Sequence, residues 1–334
     1  MTDAPPPAAA TIVTLSYRGD YDCCRLLCES VDRFAPENFV HRLYVPTRDL
    51  ALFAPFANER RIVASQDREL LPGWMWKLPL PGPEWRARLR LPRRNIYLSL
   101  FSPPVRGWIA QQIMKIAAAA AATTEVVLHV DSDTLFIRPL SLDRLLRPDG
   151  KARLYQTPDS VDLPGHRLWH ETASRLLGLP EDPFHNGDYI DQLVVWRAST
   201  ARRLIARLEG VSGRDWRKVL ATTPHFSEYI LYGVFADVDL GLDAAGHWPD
   251  PHSMCHSLWT DHISSEEDEQ AFIEAVQPDQ VACLLQSTLP LSLDERRAFI
   301  ARIVAEAERQ DASFRLNLSS AHRADRAAQA TISP

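Results

Sequence analysis

Short apolar runs alternate with amphipathic stretches along the first half of the chain. The runs at 11–16, 41–45, 61–64 and 126–130 are rich in valine, isoleucine and leucine and too short to cross a membrane. Between the first two runs, segment 21–34 carries leucine, valine and phenylalanine at helical spacing. Strands that alternate with helices in this way predict an α/β fold with a mainly parallel sheet flanked by helices, in a single domain.

Two carboxylates follow the apolar run at 126–130. Asp131 and Asp133 stand one residue apart where this strand leaves the predicted sheet. The carboxyl ends of strands line the crevice in which open α/β sheets bind ligands, and carboxylate oxygens are preferred ligands of Mg²⁺ and Mn²⁺. The pattern predicts a metal ion that bridges to a diphosphate. The alternative interpretation is that the two aspartates only begin a turn.

The composition of the chain argues against several classes of protein. The chain has 334 residues, 46% of them hydrophobic and 24% charged, which are ordinary globular values. A formal net charge of -6 argues against a nucleic-acid-binding protein. Three of the five cysteines share one predicted helix and the other two are isolated, which favours reduced thiols in the cytoplasm. The first residues show no basic stretch followed by an apolar core, so no signal peptide is predicted.

Three segments depart from the regular pattern. Residues 1–10, rich in proline and alanine, predict a disordered tail, and residues 310–334 a frayed C-terminal tail, which leaves 11–309 as the domain. Within it, 71–104 combines prolines, tryptophans and arginines and predicts an irregular insert. Its part 74–94 suggests a surface for an anionic partner, such as the inner face of a membrane. The alternative is a solvated arginine face over a few buried tryptophans.

Polar residues on predicted helices extend the candidate site. A helix that leads into the strand 126–130 can direct Arg106, Gln112 and Lys115 towards the same crevice, although a single lysine in a helix is usually solvated. Ser199 and Ser227 are candidate N-caps of two later helices. The residue after Ser227 is Glu228, which either stabilises a helix N-terminus or acts as a base that faces the cleft.

Histidines concentrate in the segment 246–262, which carries four of the eleven in the chain: His247, His252, His256 and His262. An imidazole nitrogen can join carboxylates around a metal ion. A single histidine in such a loop is more often a surface residue.

Four segments together resemble a bacterial family of predicted GT-A-type glycosyltransferases, over residues 11–291. They are TLSYRGDYDCCRLLCESVDRF, VRGWIAQQIMK, HVDSDTLFIRP and HFSEYILYGVF. The resemblance implies a GT-A-like, Rossmann-like fold in which a D-x-D motif holds Mn²⁺ or Mg²⁺ on the diphosphate of a nucleotide sugar.

The resemblance also implies roles for individual residues. Asp131 and Asp133 would bind the metal, and Ser132 would lie near the ribose. The nucleotide would be contacted by Thr14, Ser16, Tyr17, Arg18, Arg106, Gln112 and Lys115. Glu228 would be the catalytic base of an inverting enzyme, with Asp191 as the second candidate; in a retaining enzyme Glu228 would bind the acceptor. His256, or failing that His252, would complete the metal site.

The function implied is transfer of a sugar from a nucleotide-sugar donor to a carbohydrate or lipid-linked acceptor, in polysaccharide or glycoconjugate synthesis. One alternative is a non-catalytic nucleotide-sugar or glycan-binding protein on the same fold. Another is a phosphatase of the haloacid dehalogenase type, whose pattern is D-x-D-x-T. Here Thr134 directly follows Asp133, one position too early for that pattern.

Overall fold

The computed structural model describes residues 8–79, 88, 95–158, 164–182, 184–258 and 265–331, with side chains to residue 313. Its strands, in chain order, are β1 Ala10–Leu15, β2 Phe39–Val45, β3 Arg61–Ser65, β4 Met75–Lys77, β5 Ile96–Ser99, β6 Val105–Arg106, β7 Val126–Val130, β8 Thr134–Phe136, β9 Ala152–Tyr155, β10 Leu193–Arg197, β11 His247–Asp250, β12 Cys255–Leu258 and β13 Ala282–Leu285. The described α-helices are α1 Tyr21–Phe34, α2 Leu50–Phe53, α3 Gln66–Glu69, α4 Gly107–Ala121, α5 Pro164–Leu177, α6 Ala198–Ser212, α7 Trp216–Ala221, α8 Glu228–Val234, α9 Leu242–Ala245, α10 Glu266–Glu274 and α11 Leu293–Thr331.

The chain divides into two compact units, a subdivision that the sequence did not predict. The first comprises Met1–Tyr21, Pro36–Ser132 and Ser141–Ser253. The second comprises Asp22–Ala35, Asp133–Leu140 and Met254–Pro334. The D-x-D segment therefore spans the boundary in sequence, with Asp131 in the first unit and Asp133 in the second.

A five-stranded sheet in the order β10-β7-β1-β2-β3 forms the centre of the first unit. β1 pairs in parallel with β2 and β7, and β2 pairs in parallel with β3. β10 is antiparallel to β7. The predicted mainly parallel α/β sheet is confirmed. Because the chain moves outward from β1 to β3 and then returns to β7 on the other side of β1, the strand order reverses between β1 and β7.

Burial explains why these strands are so apolar. Every residue of β1 and of β7 is buried, as expected for strands covered on both faces. The apolar side of α4 packs against the sheet, where Ile109 and Ile113 share one core cluster with Val13 and Val127. This packing fixes α4 beside the carboxyl end of β7.

Two helices of the first unit begin near serines, and only one of the predicted caps is correct. Ser227 caps α8, since its hydroxyl accepts a hydrogen bond from the N–H of Ile230 at 3.5 Å. The predicted cap at Ser199 is wrong, because α6 begins at Ala198 and Ser199 lies inside its first turn. The Ser199 hydroxyl instead donates to the carboxylate of Glu125, a stronger acceptor than a backbone carbonyl.

The segment predicted to be an irregular insert contains regular structure. β4, β5 and β6 form an antiparallel three-stranded sheet. The prediction over 71–104 was wrong at these strands, because residues 75–77 and 96–99 contain no proline and include aromatic and branched side chains that suit a sheet. Residues 80–87 and 89–94, which make up most of the predicted membrane-contact surface, lie outside the described residues. So do residues 1–7 of the predicted tail, whereas Ala10 already belongs to β1.

The second unit has its own sheet and core. Its strand order is β12-β13-β8, with β13 parallel to β12 and antiparallel to β8. α11 continues to Thr331, through part of the segment 310–334 that the sequence predicts to be a frayed tail. No glycine or proline interrupts this segment, and the buried Arg138 donates to the side chains of Gln310 and Asp311 at 2.6 and 3.1 Å. Among the described helices, none combines the length and apolar character needed to span a bilayer.

Candidate functional site

The loops that follow β1 and β7 meet where the strand order reverses. The short 3₁₀ turn Arg18–Asp20 follows β1, and Asp131 and Ser132 follow β7. The hydroxyl of Ser132 donates to the carboxylate of Asp20 at 3.3 Å, which joins the two loops. Burial and the nearby charge of Asp131 raise the pKa of Asp20, although the hydrogen bond from Ser132 opposes that shift. Both strands thus deliver carboxylates to the same edge of the sheet.

A buried lysine connects the carboxylates of this edge. The Nζ atom of Lys115 lies 3.0 Å from Asp131 Oδ1, 3.2 Å from Glu228 Oε1 and 2.8 Å from the hydroxyl of Tyr229. We call Lys115, Asp131, Glu228 and Tyr229 the lysine–carboxylate cluster. The side chains of Lys115 and Glu228 are only 7% and 6% exposed, whereas that of Asp131 is 34% exposed. The cluster therefore opens to solvent mainly at Asp131.

Two helices hold this cluster in place. Gln112 and Lys115 lie three residues apart on α4 and face the same direction. Gln112 Oε1 accepts a hydrogen bond of 2.9 Å from the backbone N–H of Glu228 in the first turn of α8. The amide nitrogen of the same Gln112 is buried and has no hydrogen-bond partner within the described part of the chain. Gln112 thus fixes the start of α8 against α4, which sets the position of Glu228 beside Lys115.

The protonation states in the cluster follow from burial and neighbouring charges. Burial alone would lower the pKa of Lys115, but Asp131, Tyr229 and Glu228 together raise that pKa well above its ordinary value. Burial raises the pKa of Glu228, and Lys115 offsets only part of that shift. Burial also raises the pKa of Tyr229, so its hydroxyl stays protonated. Two carboxylates and one ammonium group give the cluster a net negative charge. This charge favours a cation at Asp131.

The residues predicted to contact the nucleotide divide into buried and exposed ones. Thr14 is fully buried in β1, with its hydroxyl 3.1 Å from the Nε2 atom of His41. Ser16 is buried, and its hydroxyl has no hydrogen-bond partner among the described residues. Tyr17 is 40% exposed, and Arg18 forms an ion pair of 2.7 Å with the buried carboxylate of Asp49. Tyr17 and Arg18 thus lie at the surface after β1, whereas Thr14 is bonded to a neighbouring strand inside the sheet.

Arg106 and Asp191 make contacts outside the cluster. Arg106 is exposed, and its guanidinium donates to the carbonyl of Pro224 at 2.7 Å. Asp191 is buried and accepts a hydrogen bond of 2.7 Å from the hydroxyl of Ser253. Of the helix residues predicted from the sequence, the described contacts bring Gln112 and Lys115 to the cluster, and they place Arg106 elsewhere.

The remaining predicted metal ligands have protein partners. Asp133 Oδ2 accepts a hydrogen bond of 3.1 Å from the backbone N–H of Ser287. His256 Nε2 lies 2.8 Å from the carbonyl of Phe272, so Nε2 carries the proton and Nδ1 is the nitrogen that could bind a metal. His252 is 74% exposed and contacts Asp250. In the described ranges, no three histidine, cysteine, aspartate or glutamate side chains are arranged to hold a metal ion.

Comparison with known proteins gives the family. Residues 9–308 match DUF6492, described as a family of unknown function. The chain belongs to this family. A comparison with curated proteins finds no match. The matched range contains every member of the lysine–carboxylate cluster.

Two residues of the site in this DUF6492 chain were not predicted from the sequence. Tyr229 contacts Lys115 through its hydroxyl, 2.8 Å from Nζ, and its ring centroid lies 4.5 Å from the same nitrogen. Asp20 joins the loop after β1 to Ser132. The sequence contains only indirect signs of these two residues. Tyr229 directly follows the candidate Glu228, and Asp20 is the last residue of the polar loop after the first strand.

Proposed function

We propose that this protein is a metal-dependent glycosyltransferase with a GT-A-like fold, which transfers a sugar from a nucleotide-sugar donor to a carbohydrate or lipid-linked acceptor. The observation that carries the proposal is the lysine–carboxylate cluster beside the point where the strand order of the parallel sheet reverses. Ligands of open α/β sheets bind in that crevice. A carboxylate that opens to solvent next to a buried ammonium group suits a ligand that brings both a cation and phosphates.

On the donor side, the aspartates of the D-x-D motif would bind Mn²⁺ or Mg²⁺. These ions commonly use one or two protein carboxylates and complete their coordination with water and substrate phosphates, so the hard oxygen donor of Asp131, with Asp133 two positions on, fits such an ion. Bound there, the metal would stabilise negative charge on the leaving diphosphate. Lys115 adds a fixed positive charge beside Asp131.

On the acceptor side, a carboxylate must take the proton of the attacking hydroxyl if the enzyme inverts configuration. Glu228 is the first candidate, because it lies 3.2 Å from Lys115 in the cluster and burial raises its pKa, which makes its carboxylate a stronger base. Asp191 is the second candidate. In a retaining enzyme Glu228 would bind the acceptor.

The decisive experiment measures donor binding. Purified protein is screened by thermal shift and calorimetry against UDP-, GDP-, dTDP- and CMP-linked sugars, with and without Mn²⁺. A ligand that binds only the native state at about 100 times its Kd stabilises it by about 2.7 kcal/mol. We expect metal-dependent binding of one nucleotide class. Asp131→Asn should weaken that binding at least tenfold, whereas Asp143→Asn, which changes an exposed aspartate outside the cluster, should leave it unchanged.

Turnover separates an enzyme from a binding protein on the same fold. We expect slow release of nucleoside diphosphate from the bound donor, or of CMP from a CMP-linked donor, and Glu228→Gln should reduce it by about 100-fold or more while the folded protein still binds the nucleotide. Metal-dependent binding without any release would favour the non-catalytic alternative. Absence of binding with all four nucleotide classes would contradict the proposal.

A further inference from the structure

Three aromatic rings lie side by side in the first unit. The ring centroids of Trp108 and Trp169 are 5.5 Å apart, and those of Trp169 and His166 are 4.9 Å apart. The planes are tilted by 38° and 33°. Trp108 is 42% exposed, and Trp169 and His166 are half-buried. We call these three residues the aromatic row. The exposed part of the row presents ring surface to solvent.

The carboxylate of Asp188 lies at the His166 end of the aromatic row. His166 Nδ1 forms a hydrogen bond with the carboxylate of Asp188. Because a carboxylate accepts, Nδ1 carries the proton and Nε2, on the far side of the ring, is the atom that can contact a ligand. Burial alone would raise the pKa of Asp188, but the hydrogen bond and charge of His166 lower it, so Asp188 is ionised at neutral pH. The side chain of Asp188 is only 8% exposed.

The loop that carries Asp188 has a conformation that few sequences permit. Gly187 has φ +137°, and a Cβ atom there would lie 2.5 Å from the carbonyl oxygen of Thr157. His185 has φ +43°, in the left-handed region that residues other than glycine seldom adopt. Two backbone hydrogen bonds of 3.0 Å join Asp188 to Thr157. Such backbone conformations cost energy and cluster at ligand sites, and here the result is a fixed position for Asp188.

The aromatic row begins on the helix that carries Lys115. Trp108, Gln112 and Lys115 occupy positions i, i+4 and i+7 of α4 and therefore share one face. Seven residues of α-helix rise by roughly 10 Å. The row thus starts two helical turns from the lysine–carboxylate cluster, along the same side of α4.

We propose that the aromatic row, together with the pair His166–Asp188, is a binding subsite for the sugar rings of a carbohydrate. One face of a pyranose consists of C–H groups, which pack on the electron-rich face of an aromatic ring, while its hydroxyls need hydrogen-bond partners at the rim. His166 Nε2 supplies such a partner. A lipid surface fits less well, because the Nε2 atom of His166 needs a hydrogen-bond partner, which an apolar layer does not offer. Only the identification of this carbohydrate as the acceptor rests on the proposed function.

The test uses full-length protein on an array of tetrasaccharides of glucose, galactose, mannose and N-acetylglucosamine with defined linkages. The strongest binder is then titrated in solution by tryptophan fluorescence. We expect Trp108→Ala and Trp169→Ala to weaken binding at least tenfold, and Trp108→Phe, which keeps an aromatic ring, to stay within about threefold of the wild type. Trp76→Ala is the matched control, because Trp76 is 44% exposed on β4 and lies outside the row.

Several outcomes would overturn the inference. These are no binding to any tetrasaccharide at millimolar concentration, equal binding by wild type and Trp108→Ala, or a Trp108-dependent association with phosphatidylglycerol vesicles in place of glycan binding. Trp108 is 42% exposed, so we expect its replacement to leave the protein folded even if the Trp169 variant is unstable, and circular dichroism checks this. Wild-type protein that binds a tetrasaccharide but no nucleotide sugar would contradict the proposed function alone. The reverse pattern would contradict the subsite alone.

Discussion

At the scale of single residues, the most consequential feature is one ammonium group that serves two carboxylates. Lys115 lies within 3.2 Å of both Asp131 and Glu228, and it is almost completely buried. Removing water from these groups is costly, and the attraction between them offsets that cost only while all partners are present. Such a cluster is poor at adding stability to a fold. It is well suited to holding a charge at a fixed place, which is what a ligand site requires.

Replacing Lys115 therefore tests the cluster directly. We expect Lys115→Met to lower the free energy of unfolding by about 3 to 5 kcal/mol at pH 7, because two carboxylates would lose their shared counter-charge. Urea denaturation followed by circular dichroism measures the change. Lys151→Met is the control, since Lys151 pairs with the exposed Asp243 at the surface and its loss should have little effect. A Lys115 variant as stable as the control would contradict the charge assignment.

The loss of stability caused by Lys115→Met should depend on pH in a defined direction. The folded-state pKa of Lys115 is raised, so its contribution is complete below its unfolded value of 10.5 and is lost only above that range. The folded-state pKa of Glu228 is also raised above 4.5, so Glu228 takes up its proton more readily in the folded protein as the pH falls. We expect the penalty of Lys115→Met to be smaller at pH 5 than at pH 7, as measured by the same urea titrations. A penalty that grows towards pH 5 would contradict these shifts.

At the scale of secondary structure, α8 depends on a close approach at Gly233. Every residue of α8 is buried, and a π-helical turn, Phe235–Asp239, follows it directly. The ring of Tyr189 lies against Gly233, and its hydroxyl donates to the carboxylate of Asp237 at 2.8 Å. π-Helical turns are frequent at functional sites, and this one belongs to the helix that carries Glu228. The position of α8 is thus fixed at its start by Gln112 and near its end by Tyr189.

A pair of glycine substitutions measures this contact. At Gly233 a Cβ atom would lie 2.1 Å from Cγ of Tyr189, whereas at Gly210 in α6 it would meet nothing within 4 Å. We expect Gly233→Ala to destabilise the protein by about 1 to 3 kcal/mol or more through overpacking. Gly210→Ala should stabilise it by about 0.5 to 1 kcal/mol, because alanine is the better helix former. Thermal or urea unfolding measures the change in stability of each variant. A Gly233→Ala variant as stable as the wild type would show that Tyr189 moves aside freely.

The elements that could be predicted from the sequence are those with a strong local pattern. β1, β2, β7 and α4 were placed correctly because their apolar residues follow strand or helix spacing over their whole length. The strands β4 and β5 were missed, since prolines in the same segment dominated the pattern. α11 was cut short because its polar later half carries no apolar stripe, although it also carries no helix breaker.

At the scale of the whole molecule, sequence distance limits what can be predicted about the site. Helical spacing was enough to place Gln112 with Lys115. The contact between Lys115 and Tyr229 joins residues 114 positions apart and has no local signal. Thr14 shows the converse, because the family resemblance implied a nucleotide contact while His41 on the neighbouring strand already engages its hydroxyl. Long-range pairing of this kind depends on strand order, which the apolar pattern does not contain.

Stability of the whole fold should depend on histidines that are buried without charge. His247 is the best-defined case: Nδ1 donates to the carbonyl of Ala152 at 3.0 Å, and Nε2 accepts from the hydroxyl of Tyr232 at 2.7 Å. Burial lowers the pKa of His247 from 6.5 to about 4. Burial likewise lowers the pKa of His41 and His129 well below their ordinary value. A depressed histidine pKa gives stability that is present above 6.5 and is lost as the pH falls towards the folded-state value.

We therefore expect the free energy of unfolding to fall between pH 7 and pH 5, with His247 alone contributing about 2 kcal/mol of the loss. His247→Gln should reduce that pH dependence, because a glutamine side chain can donate and accept hydrogen bonds without taking up a proton. His225→Gln, at an exposed histidine, is the control variant. Urea denaturation at pH 7, 6 and 5 compares the three proteins. If His247→Gln and the wild type lost the same free energy of unfolding between pH 7 and pH 5, proton uptake by His247 could not be coupled to unfolding, and the neutral hydrogen-bonded form of His247 would be wrong.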